Sequence, residues 1–273
     1  MAKVYAITNQ KGGVGKTTTS VNLAASLAAT KRRILLVDLD PQGNATMGCG
    51  IDKSSLENSV YDVLVASKPI TECIVSAPES GFSVLPANQD LTAAEVELIN
   101  EIGREFRLRE ALALVAQQYD YILIDCPPSL NMLTVNALAA ATGVIIPMQC
   151  EYYALEGLSA LVNTINRVKQ LINPGLEIEG LLRTMYDGRN SLTNQVTDEL
   201  RRHFGDKVYS TVIPRNVRLA EAPSHGLPIL FYDKQSKGAL AYLALAGEVL
   251  RRAVAADTTT ASGANTQAEQ ING

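Results

Sequence analysis

The stretch NQKGGVGKTTTSVNLA, residues 9–24, decides the fold of this chain. It places three glycines, two lysines and three consecutive threonines between a short apolar run and an apolar, helix-like run. A strand, a glycine-rich turn and a helix in this order let backbone N–H groups wrap phosphate oxygens. The stretch therefore predicts a phosphate-binding loop.

Each part of this loop has a predicted role. Its glycines lack the Cβ atoms that would block close approach of a phosphate. Lys16 can reach the outer phosphates, and the hydroxyl of Thr17 can bind Mg²⁺. The common pattern GxxxxGK[ST] requires a glycine where this chain has Gln10, so the loop takes the tighter form KGGxGKT. We predict that the nucleotide phosphates are bound by Gly12, Gly13, Val14, Gly15, Lys16, Thr17 and Thr18.

Carboxylates follow two further apolar runs of the sequence. LLVDLDPQGN contains Asp38 and Asp40, and YILIDCPPS contains Asp125. The carboxyl ends of parallel strands line the ligand crevice of a doubly wound sheet. Mg²⁺ on a nucleotide keeps several waters, which nearby carboxylates can hold. We predict that Asp38 and Asp125 complete a magnesium site with Thr17, and that Asp40 orients the attacking water.

Short β-branched runs alternate with longer amphipathic runs along the chain. Strands are predicted at 4–8, 33–38, 82–86, 119–125, 143–148, 176–186 and 207–213. Helices are predicted at 16–29, 91–117, 130–141, 154–172, 190–204 and 236–253. This alternation predicts an α/β fold with a single doubly wound, mostly parallel sheet and helices on both faces.

Composition limits the class of protein further. The chain has 273 residues, is 47% hydrophobic and carries a net charge of −4. We expect one domain over 1–253 and a disordered polar tail over 254–273. The N-terminus lacks a signal-peptide pattern and no apolar run reaches the roughly 18 residues of a membrane span, so we expect a cytoplasmic protein. The four cysteines form no CxxC pair, which favours reduced thiols over a zinc site.

Five motifs give the chain a family resemblance. KGGVGKT, VDLDPQGNAT, IDCPPSL, PMQCEYYALEGL and IPRNVRLAEAPSHGLPI resemble the ParA/Soj partition ATPases of the deviant Walker A group, over roughly residues 2–252. The resemblance implies a P-loop NTPase fold with ATP and Mg²⁺ as cofactors. It also implies that Lys11 reaches across a homodimer interface to the partner's ATP, where an added cation would assist catalysis together with Lys16 and Asp40.

The resemblance extends to three further contacts. It implies that Pro214 and Asn216 lie near the adenine and that Glu151 contacts the ribose of the opposite nucleotide. It places Arg189 and Arg218 where related proteins bind DNA without sequence preference. One departure from the family is Arg183, a charged residue in the apolar run GLLRTMYD, where relatives often have an aliphatic residue.

The distribution of charge bears on DNA binding. Residues 50–110 contain eleven acidic and five basic side chains, whereas residues 200–252 contain nine basic and four acidic ones. If the C-terminal positive charges share a face, a dimer would double that face and contact phosphates independently of sequence. An ordinary solvated helix surface explains the same charges equally well.

The resemblance implies an ATP-dependent DNA-segregation protein. Its ATP-bound sandwich dimer would bind double-stranded DNA non-specifically, in the cytoplasm on the nucleoid, and a ParB-type partner would stimulate slow hydrolysis. Two alternatives stay open. A MinD-like membrane-surface ATPase needs an amphipathic C-terminal helix, although Ile271 is the only large apolar residue after Val254. An iron–sulfur reductase of the same fold would need Cys126 and Cys150 as cluster ligands.

Overall fold

The apolar runs of the sequence form the strands of one sheet. A computed structural model of the chain describes residues 2–152 and 154–271, with side chains described up to residue 255. The strands are β1 (Lys3–Ile7), β2 (Ile34–Asp38), β3 (Val75–Ser76), β4 (Ser83–Leu85), β5 (Tyr121–Asp125), β6 (Gly143–Gln149), β7 (Glu177–Tyr186) and β8 (Val208–Pro214). Their order across the sheet is β3-β4-β2-β5-β1-β6-β7-β8. Every neighbouring pair is parallel except β3 and β4.

Helices connect these strands. The long ones are α1 (Lys16–Ala29), α7 (Met132–Ala140), α8 (Ala154–Leu171), α9 (Ser191–Phe204) and α12 (Lys237–Ile271). The short ones are α2 (Asn44–Gly48), α3 (Val60–Leu64), α4 (Ile70–Cys73), α5 (Leu91–Glu97), α6 (Arg107–Ala113), α10 (Val217–Glu221) and α11 (Ile229–Tyr232). None of the described helices is long and apolar enough to cross a bilayer.

Both faces of the sheet are covered by helices. Val4 and Ala6 of β1 pack in one apolar cluster, which includes side chains of α7, α8 and α9. Tyr5 and Ile7 of the same strand pack in a second cluster, with side chains of α1 and α12. Successive side chains of a strand point to opposite faces, so an apolar run on a covered sheet fills two cores. The predicted doubly wound architecture is confirmed.

The predicted helix at 91–117 is wrong in extent. The structure ends α5 at Glu97 and begins α6 at Arg107, and Gly103 between them has a φ of 69°. A left-handed residue cannot continue a right-handed helix, and glycine adopts this conformation at little cost. The sequence also did not reveal the two-residue edge strand β3 or the helices of four or five residues, because elements this short show no hydrophobic period.

The last helix continues past the predicted domain end at residue 253. The backbone of α12 is helical to Ile271, whereas we expected a disordered tail from residue 254. No proline interrupts residues 254–271, and Ala255 and Ala256 follow Val254, so the helix can pass residue 253, although the threonines at 258–260 and Gly263 have low helix propensity. The side chains of 256–271, and residues 272 and 273, lie outside the described part of the chain.

Arg183 lies inside the molecule, at an irregularity between β7 and β8. Its side chain is 2% exposed, and one guanidinium nitrogen donates to the carbonyl oxygens of Tyr209 at 2.7 Å and Ser210 at 3.2 Å. The register of the two strands shifts on both sides of Arg183. Arg183, whose environment the sequence left open, is therefore buried and binds backbone groups of β8.

The contact between β7 and β8 requires a glycine at position 180. A Cβ atom built on Gly180 would lie 2.8 Å from Cζ of Tyr209, whose ring is fully buried. We predict that Gly180→Ala destabilises the fold by about 1–3 kcal/mol, because neither the strand nor the ring has room to move. Urea denaturation measures this change.

A matched glycine provides the control for this prediction. Gly157 lies within α8, and a Cβ atom there would meet nothing within 4 Å. Gly157→Ala should raise stability by about 0.5–1 kcal/mol through helix propensity. Equal effects of the two substitutions would contradict the packing argument.

Candidate nucleotide-binding site

The predicted site residues converge at the carboxyl edge of the sheet. Ile7 of β1 pairs with Asp125 of β5, and Asp125 in turn pairs with Asp38 of β2. The loop of residues 8–15 follows β1 directly and leads into α1. Three adjacent parallel strands that end level with one another therefore place the loop and both carboxyls in one crevice.

The backbone of the loop uses two of its glycines for conformation. Gly13 has a φ of 73° and Gly15 a φ of 88°, both in the left-handed region that favours glycine. Gly15 is the N-cap of α1 and makes no side-chain capping bond, so the N–H groups of the first turn stay available to an anion. Gly12 has no positive φ, and a Cβ atom there would meet nothing within 4 Å.

Side chains from distant strands hold the loop in place. Thr184 of β7 donates its hydroxyl to the Val14 carbonyl at 2.7 Å, and Gln149 of β6 donates to the Gly13 carbonyl at 3.2 Å. Asn9 accepts from the N–H of Lys11 at 3.0 Å and donates to the Pro147 carbonyl at 2.8 Å. These residues were not among the predicted site residues. Asn9 stood in the quoted stretch, but no local signal ties Gln149 or Thr184 to the loop.

The two loop lysines occupy different environments. Lys16 is 8% exposed, and its Nζ donates to the carbonyl oxygen of Lys11 at 3.2 Å. Burial lowers the pKa of Lys16, and the nearby carboxyl of Asp125 opposes that shift. Lys11 is half exposed, and its Nζ lies 2.5 Å from Oε2 of Glu151 in the same chain. The structure thus joins Lys11 and Glu151 to each other, while their predicted contacts with an opposite nucleotide stay predictions.

Asp125 is buried with one oxygen unpaired. Its Oδ1 accepts from the hydroxyl of Ser20 at 2.8 Å. Its Oδ2 is buried and has no hydrogen-bond partner among the described residues. Burial and the neighbouring Asp38 raise the pKa of Asp125, while hydrogen bonds from Thr17 and Ser20 act in the opposite direction. A buried carboxylate oxygen without a partner, next to the Thr17 hydroxyl, fits a hydrated divalent cation.

Asp38 has a structural role in addition to its predicted one. Its Oδ2 accepts from both the N–H and the hydroxyl of Thr46 at 2.8 Å, and its Oδ1 accepts from the N–H of Asp40 at 3.1 Å. These bonds shape the segment that carries Asp40, whose own Oδ1 accepts from the N–H of Gln42 at 3.0 Å. Asp38 is therefore less available to a cation than Asp125, and its place in the magnesium site stays a prediction.

The described residues contain no group of three or more His, Cys, Asp or Glu side chains that could hold a metal ion. A cation at this edge would therefore need phosphate oxygens and water as its main ligands, with Thr17 and Asp125 beside it. Hard oxygen donors of this kind suit Mg²⁺, which keeps several waters when it binds to nucleotides.

An apolar cavity of about 210 Å³ adjoins the loop. Gly15 and Thr18 form its side towards the loop, and the predicted adenine-side residues Pro214 and Asn216 form part of its wall. Its remaining lining residues are Thr184, Met185, Ile213, Arg215, Leu219, Ala220 and Tyr242. Asn216 also caps α10, because its side-chain oxygen accepts from the N–H of Leu219 at 3.3 Å. A largely apolar slot beside a phosphate loop suits a flat heterocyclic base.

The two arginines assigned to DNA by resemblance are both ion-paired. Arg189 lies 2.8 Å from Oδ2 of Asp187, although 91% of its side chain is exposed. Arg218 lies 2.8 Å from Oε2 of Glu221 and 3.6 Å from Oδ2 of Asp233. Each guanidinium charge is thus partly neutralised within the chain.

The two cysteines of the iron–sulfur alternative are buried. Cys126 donates to the Ile124 carbonyl at 3.7 Å, and Cys150 lies 3.8 Å from the hydroxyl of Thr197. Burial raises the pKa of both thiols, which disfavours the thiolate that a cluster needs. The geometry gives no support to a cluster at these positions.

Known proteins resemble this chain over most of its length. A family model described as an AAA domain matches residues 2–178. Sporulation initiation inhibitor protein Soj of Bacillus subtilis is 58% identical over 249 residues, 91% of this chain and 98% of that protein. Chromosome partitioning protein ParA of Myxococcus xanthus is 55% identical over 252 residues, 92% of this chain and 89% of that protein.

A solved structure shares the fold. Cobyrinic acid a,c-diamide synthase from Mycobacterium smegmatis, with bound ADP and magnesium, aligns with a TM-score of 0.81 and 40% identity. The alignment covers 92% of this chain and 95% of that one.

Sheet order, phosphate loop and edge carboxylates define a P-loop NTPase of the ParA/MinD structural type. With identities above 50% to partition ATPases over nine-tenths of its length, the chain belongs to the Soj/ParA family of chromosome-partitioning ATPases. The predicted family, the fold class and the ATPase class are confirmed. The predicted cofactors, ATP and Mg²⁺, agree with the ADP and magnesium bound in the solved relative.

The burial of Asp125 predicts a dependence of stability on pH. Because the pKa of Asp125 is raised in the folded protein, folding is favoured while the carboxyl is protonated. That contribution is lost as the pH rises from about 4, the ordinary value, through the raised pKa. Asp125→Asn should therefore stabilise the nucleotide-free protein at pH ~8 by about 1–3 kcal/mol and have a smaller effect at pH ~5. Urea denaturation at both pH values measures the difference.

Asp120→Asn is the matched control. A side-chain hydrogen bond from Arg33 lowers the pKa of Asp120, so its contribution to stability is present at neutral pH and lost as the pH falls. This variant should lose stability at neutral pH, opposite in sign to Asp125→Asn. Parallel pH profiles of Asp125→Asn and the wild type would refute the assignment.

Proposed function

We propose that this chain is an ATP-dependent DNA-segregation protein whose ATP-bound form is a sandwich dimer. The observation that carries the proposal is that the two lysines of the phosphate loop lie in different environments. Lys16 is buried and its Nζ binds its own loop, whereas the side chain of Lys11 is 47% exposed and pairs with Glu151. We assign Lys16 to the chain's own phosphates and Lys11 to those of a second chain.

Residues of this chain account for nucleotide binding. The free N–H groups at the start of α1 and the left-handed turns at Gly13 and Gly15 form a concave donor surface for phosphate. The Nζ of Lys16 exchanges the Lys11 carbonyl for a phosphate oxygen, which is a stronger acceptor because it is charged. Thr17 and Asp125 would hold a magnesium ion, which would supply positive charge to the phosphates.

Asp40 is the proposed positioning group for the attacking water. It lies on the loop after β2, and its Oδ1 accepts a single backbone hydrogen bond, from Gln42. A carboxylate that orients water without acting as a strong base leaves most of the barrier in place. Intrinsic hydrolysis should therefore be slow, which leaves room for stimulation by a ParB-type partner.

In the proposed dimer, Lys11 leaves Glu151 and contacts the nucleotide of the other subunit. The ion pair that it leaves is exposed on both sides, with side-chain exposures of 47% and 53%. Exposed pairs of this kind contribute about 0–1 kcal/mol, so the exchange costs little. Glu151 is then free for the predicted contact with a ribose. Because closure depends on the nucleotide, hydrolysis returns the protein to monomers.

A second surface supports the proposal that the dimer binds DNA. A cavity of about 810 Å³, here called the basic cavity, opens beside the amino ends of β7 and β8. Its basic lining residues are Arg201, Lys207, Arg251 and Arg252. Arg252 pairs with Glu248, but the other three form no ion pair within the described part of the chain. Glu179, Asp206 and Glu248 line the same cavity, so its net positive charge is small, and it is the basic side chains without an ion pair that are expected to attract a phosphate backbone irrespective of sequence.

The position of the basic cavity is compatible with a sandwich dimer. Glu179 lines the basic cavity, and Thr184 lines the apolar cavity beside the phosphate loop, which we call the base pocket. The two residues are five apart in β7, which is roughly 16 Å along a strand. A dimer that closes over the carboxyl edge of the sheet leaves the amino edge open to solvent. Each subunit would then present its own basic cavity to a polyanion, and Arg189 and Arg218 would add contacts after exchanging their carboxylate partners. Such a protein resides in the cytoplasm on the nucleoid.

Size-exclusion chromatography with ATP tests the nucleotide switch. We predict that Asp40→Ala accumulates as an ATP-bound dimer, and that DNA added to it co-elutes with that dimer. The substitution removes the group that orients water but leaves the phosphate contacts intact, so closure should persist after hydrolysis is blocked. A variant that stays monomeric with ATP would contradict the proposed role of Asp40.

Lys11→Ala should abolish the ATP-dependent dimer while leaving the fold intact. The loss follows from the missing cross-subunit cation, and the monomer loses only an exposed ion pair. Lys169→Ala is the matched control, because Lys169 is another half-exposed lysine paired with a glutamate, Glu177. Dimers of normal abundance from Lys11→Ala would refute the proposal.

Replacing Arg201, Lys207 and Arg251 by alanine should weaken DNA binding by the ATP-bound dimer. The slope of log K against log salt should fall by roughly 0.9 for each phosphate contact removed. Fluorescence anisotropy with a random-sequence duplex measures both quantities. Arg109→Ala, an exposed arginine packed on the Phe106 ring, is the control.

The double variant Arg189→Ala and Arg218→Ala compares the arginines assigned by resemblance. It should lose less affinity for DNA than the triple variant does, because each arginine already has a carboxylate partner. An unchanged salt slope for the triple variant would show that the basic cavity is not the DNA surface.

A further inference from the structure

The pairing of β7 with β8 contains an insertion. Leu181 pairs with Val208 and Arg183 pairs with Val212, so β8 advances by four residues while β7 advances by two. The extra residues lie between Val208 and Val212, and a regular ladder cannot pair their backbone groups. Buried backbone groups need partners from elsewhere.

Two charged side chains supply these partners. Arg183 donates to the carbonyl oxygens of Tyr209 and Ser210, at 2.7 and 3.2 Å. Glu248 of α12 accepts from the N–H groups of Ser210 and Thr211, at 2.8 and 2.9 Å. We call this pair of side chains the bulge clamp. Arg252 steadies it, because its guanidinium lies 2.9 Å from Oε1 of Glu248.

The bulge clamp pairs the backbone groups of the bulge by burying two charged side chains, which costs free energy. Arg183 is 2% and Glu248 6% exposed, and the Nε of Arg183 is buried without a partner. Arg183 forms no ion pair within the described residues, and its charge is compensated by carbonyl dipoles, by the Tyr186 ring at 5.4 Å and by the more distant carboxylate of Glu248. A buried charge of this kind costs free energy, and an aliphatic side chain with a regular ladder would avoid that cost. The sequence keeps the arginine nonetheless, which suggests a role beyond packing.

The strand segments on either side of the clamp form the base pocket. Thr184 and Met185 follow Arg183 directly in β7, and Ile213 and Pro214 follow the bulge in β8. All four residues line the apolar cavity beside Gly15. The clamp fixes the first register shift, and a second shift follows between Arg183 and Tyr186, so the two together determine which residues of β8 face the pocket.

We propose that Arg183 is a positioning residue for the nucleotide base. By holding the extra residues of β8, Arg183 and Glu248 set the position of the Ile213–Pro214 wall relative to Met185. The inference rests on the proposed function in one respect, namely that this cavity receives the adenine. The phosphate loop is held by Asn9 and Gln149 as well as by Thr184, and the clamp acts on β8, so loss of the clamp should affect base binding more than phosphate binding.

The test separates base binding from phosphate binding. The affinities of full-length wild-type and variant proteins are measured by calorimetry for magnesium-ATP and for magnesium-tripolyphosphate, which lacks a base. Arg183→Met should lower ATP affinity about tenfold, since a displaced wall loses apolar contact with the base, and should change tripolyphosphate affinity less than about twofold. Arg183→Lys, which keeps one donor group, should recover part of the loss.

Glu248→Gln provides a second and milder variant. It keeps one carbonyl acceptor for the bulge and removes the other, so it should reduce ATP affinity in the same selective way even if Arg183→Met does not fold. Leu112→Ala, a core substitution in α6, controls for general destabilisation. Equal losses for ATP and tripolyphosphate, or no loss for any clamp variant, would overturn the proposal.

Ala220→Leu distinguishes the two ways of failing. Ala220 lines the cavity, and a leucine there would fill the space proposed for the base. If Ala220→Leu lowers ATP affinity and the clamp variants do not, the role of Arg183 is refuted while the base pocket stands. If Ala220→Leu also has no effect, the assignment of the cavity to adenine is wrong and the inference falls with it.

Discussion

The structure depends on the carboxylate of Asp125, which is buried in the protein without nucleotide. Asp125 ends the β-strand next to β1, binds Ser20 of α1 with one oxygen and leaves the other unpaired. This arrangement joins the sheet to the helix that follows the phosphate loop, and it keeps a site for a cation at their junction. Nucleotide binding is thereby connected to the central core of the sheet, where a shift of any strand would move the carboxyl.

The loop itself is a product of the whole sheet. Its glycines supply the turn, but its position is fixed by side chains of β6 and β7, on the other side of β1 from β5. The pocket beside it is built from β7, β8 and the helices that follow. The proposed subsites for phosphate, cation and base thus lie on different strands of one sheet, and the distances among them are set by strand spacing and register.

The sequence predicted what is local and missed what is assembled at long range. Glycines 13 and 15, Lys16 and Asp125 were identifiable because a phosphate loop and strand-end carboxylates have short signatures. Thr184 and Gln149 were missed because their partners are more than 130 residues away. The single helix expected over 91–117 was wrong because one glycine interrupts it. The sequence did not show whether Arg183 is buried, because the bulge that it contacts forms only when β7 and β8 pair.

The contact between Lys11 and Glu151 has a consequence for which nucleotide can act as a signal. In a single chain, Glu151 neutralises Lys11. Dimerisation would therefore replace the glutamate by a phosphate as the counter-ion of Lys11 and gain only the difference between the two attractions. In the proposed dimer, the magnesium complex of a diphosphate would offer a net charge close to that of the glutamate, whereas the magnesium complex of a triphosphate would carry more negative charge. Discrimination by charge at the point of encounter then needs no dedicated sensor for the terminal phosphoryl group.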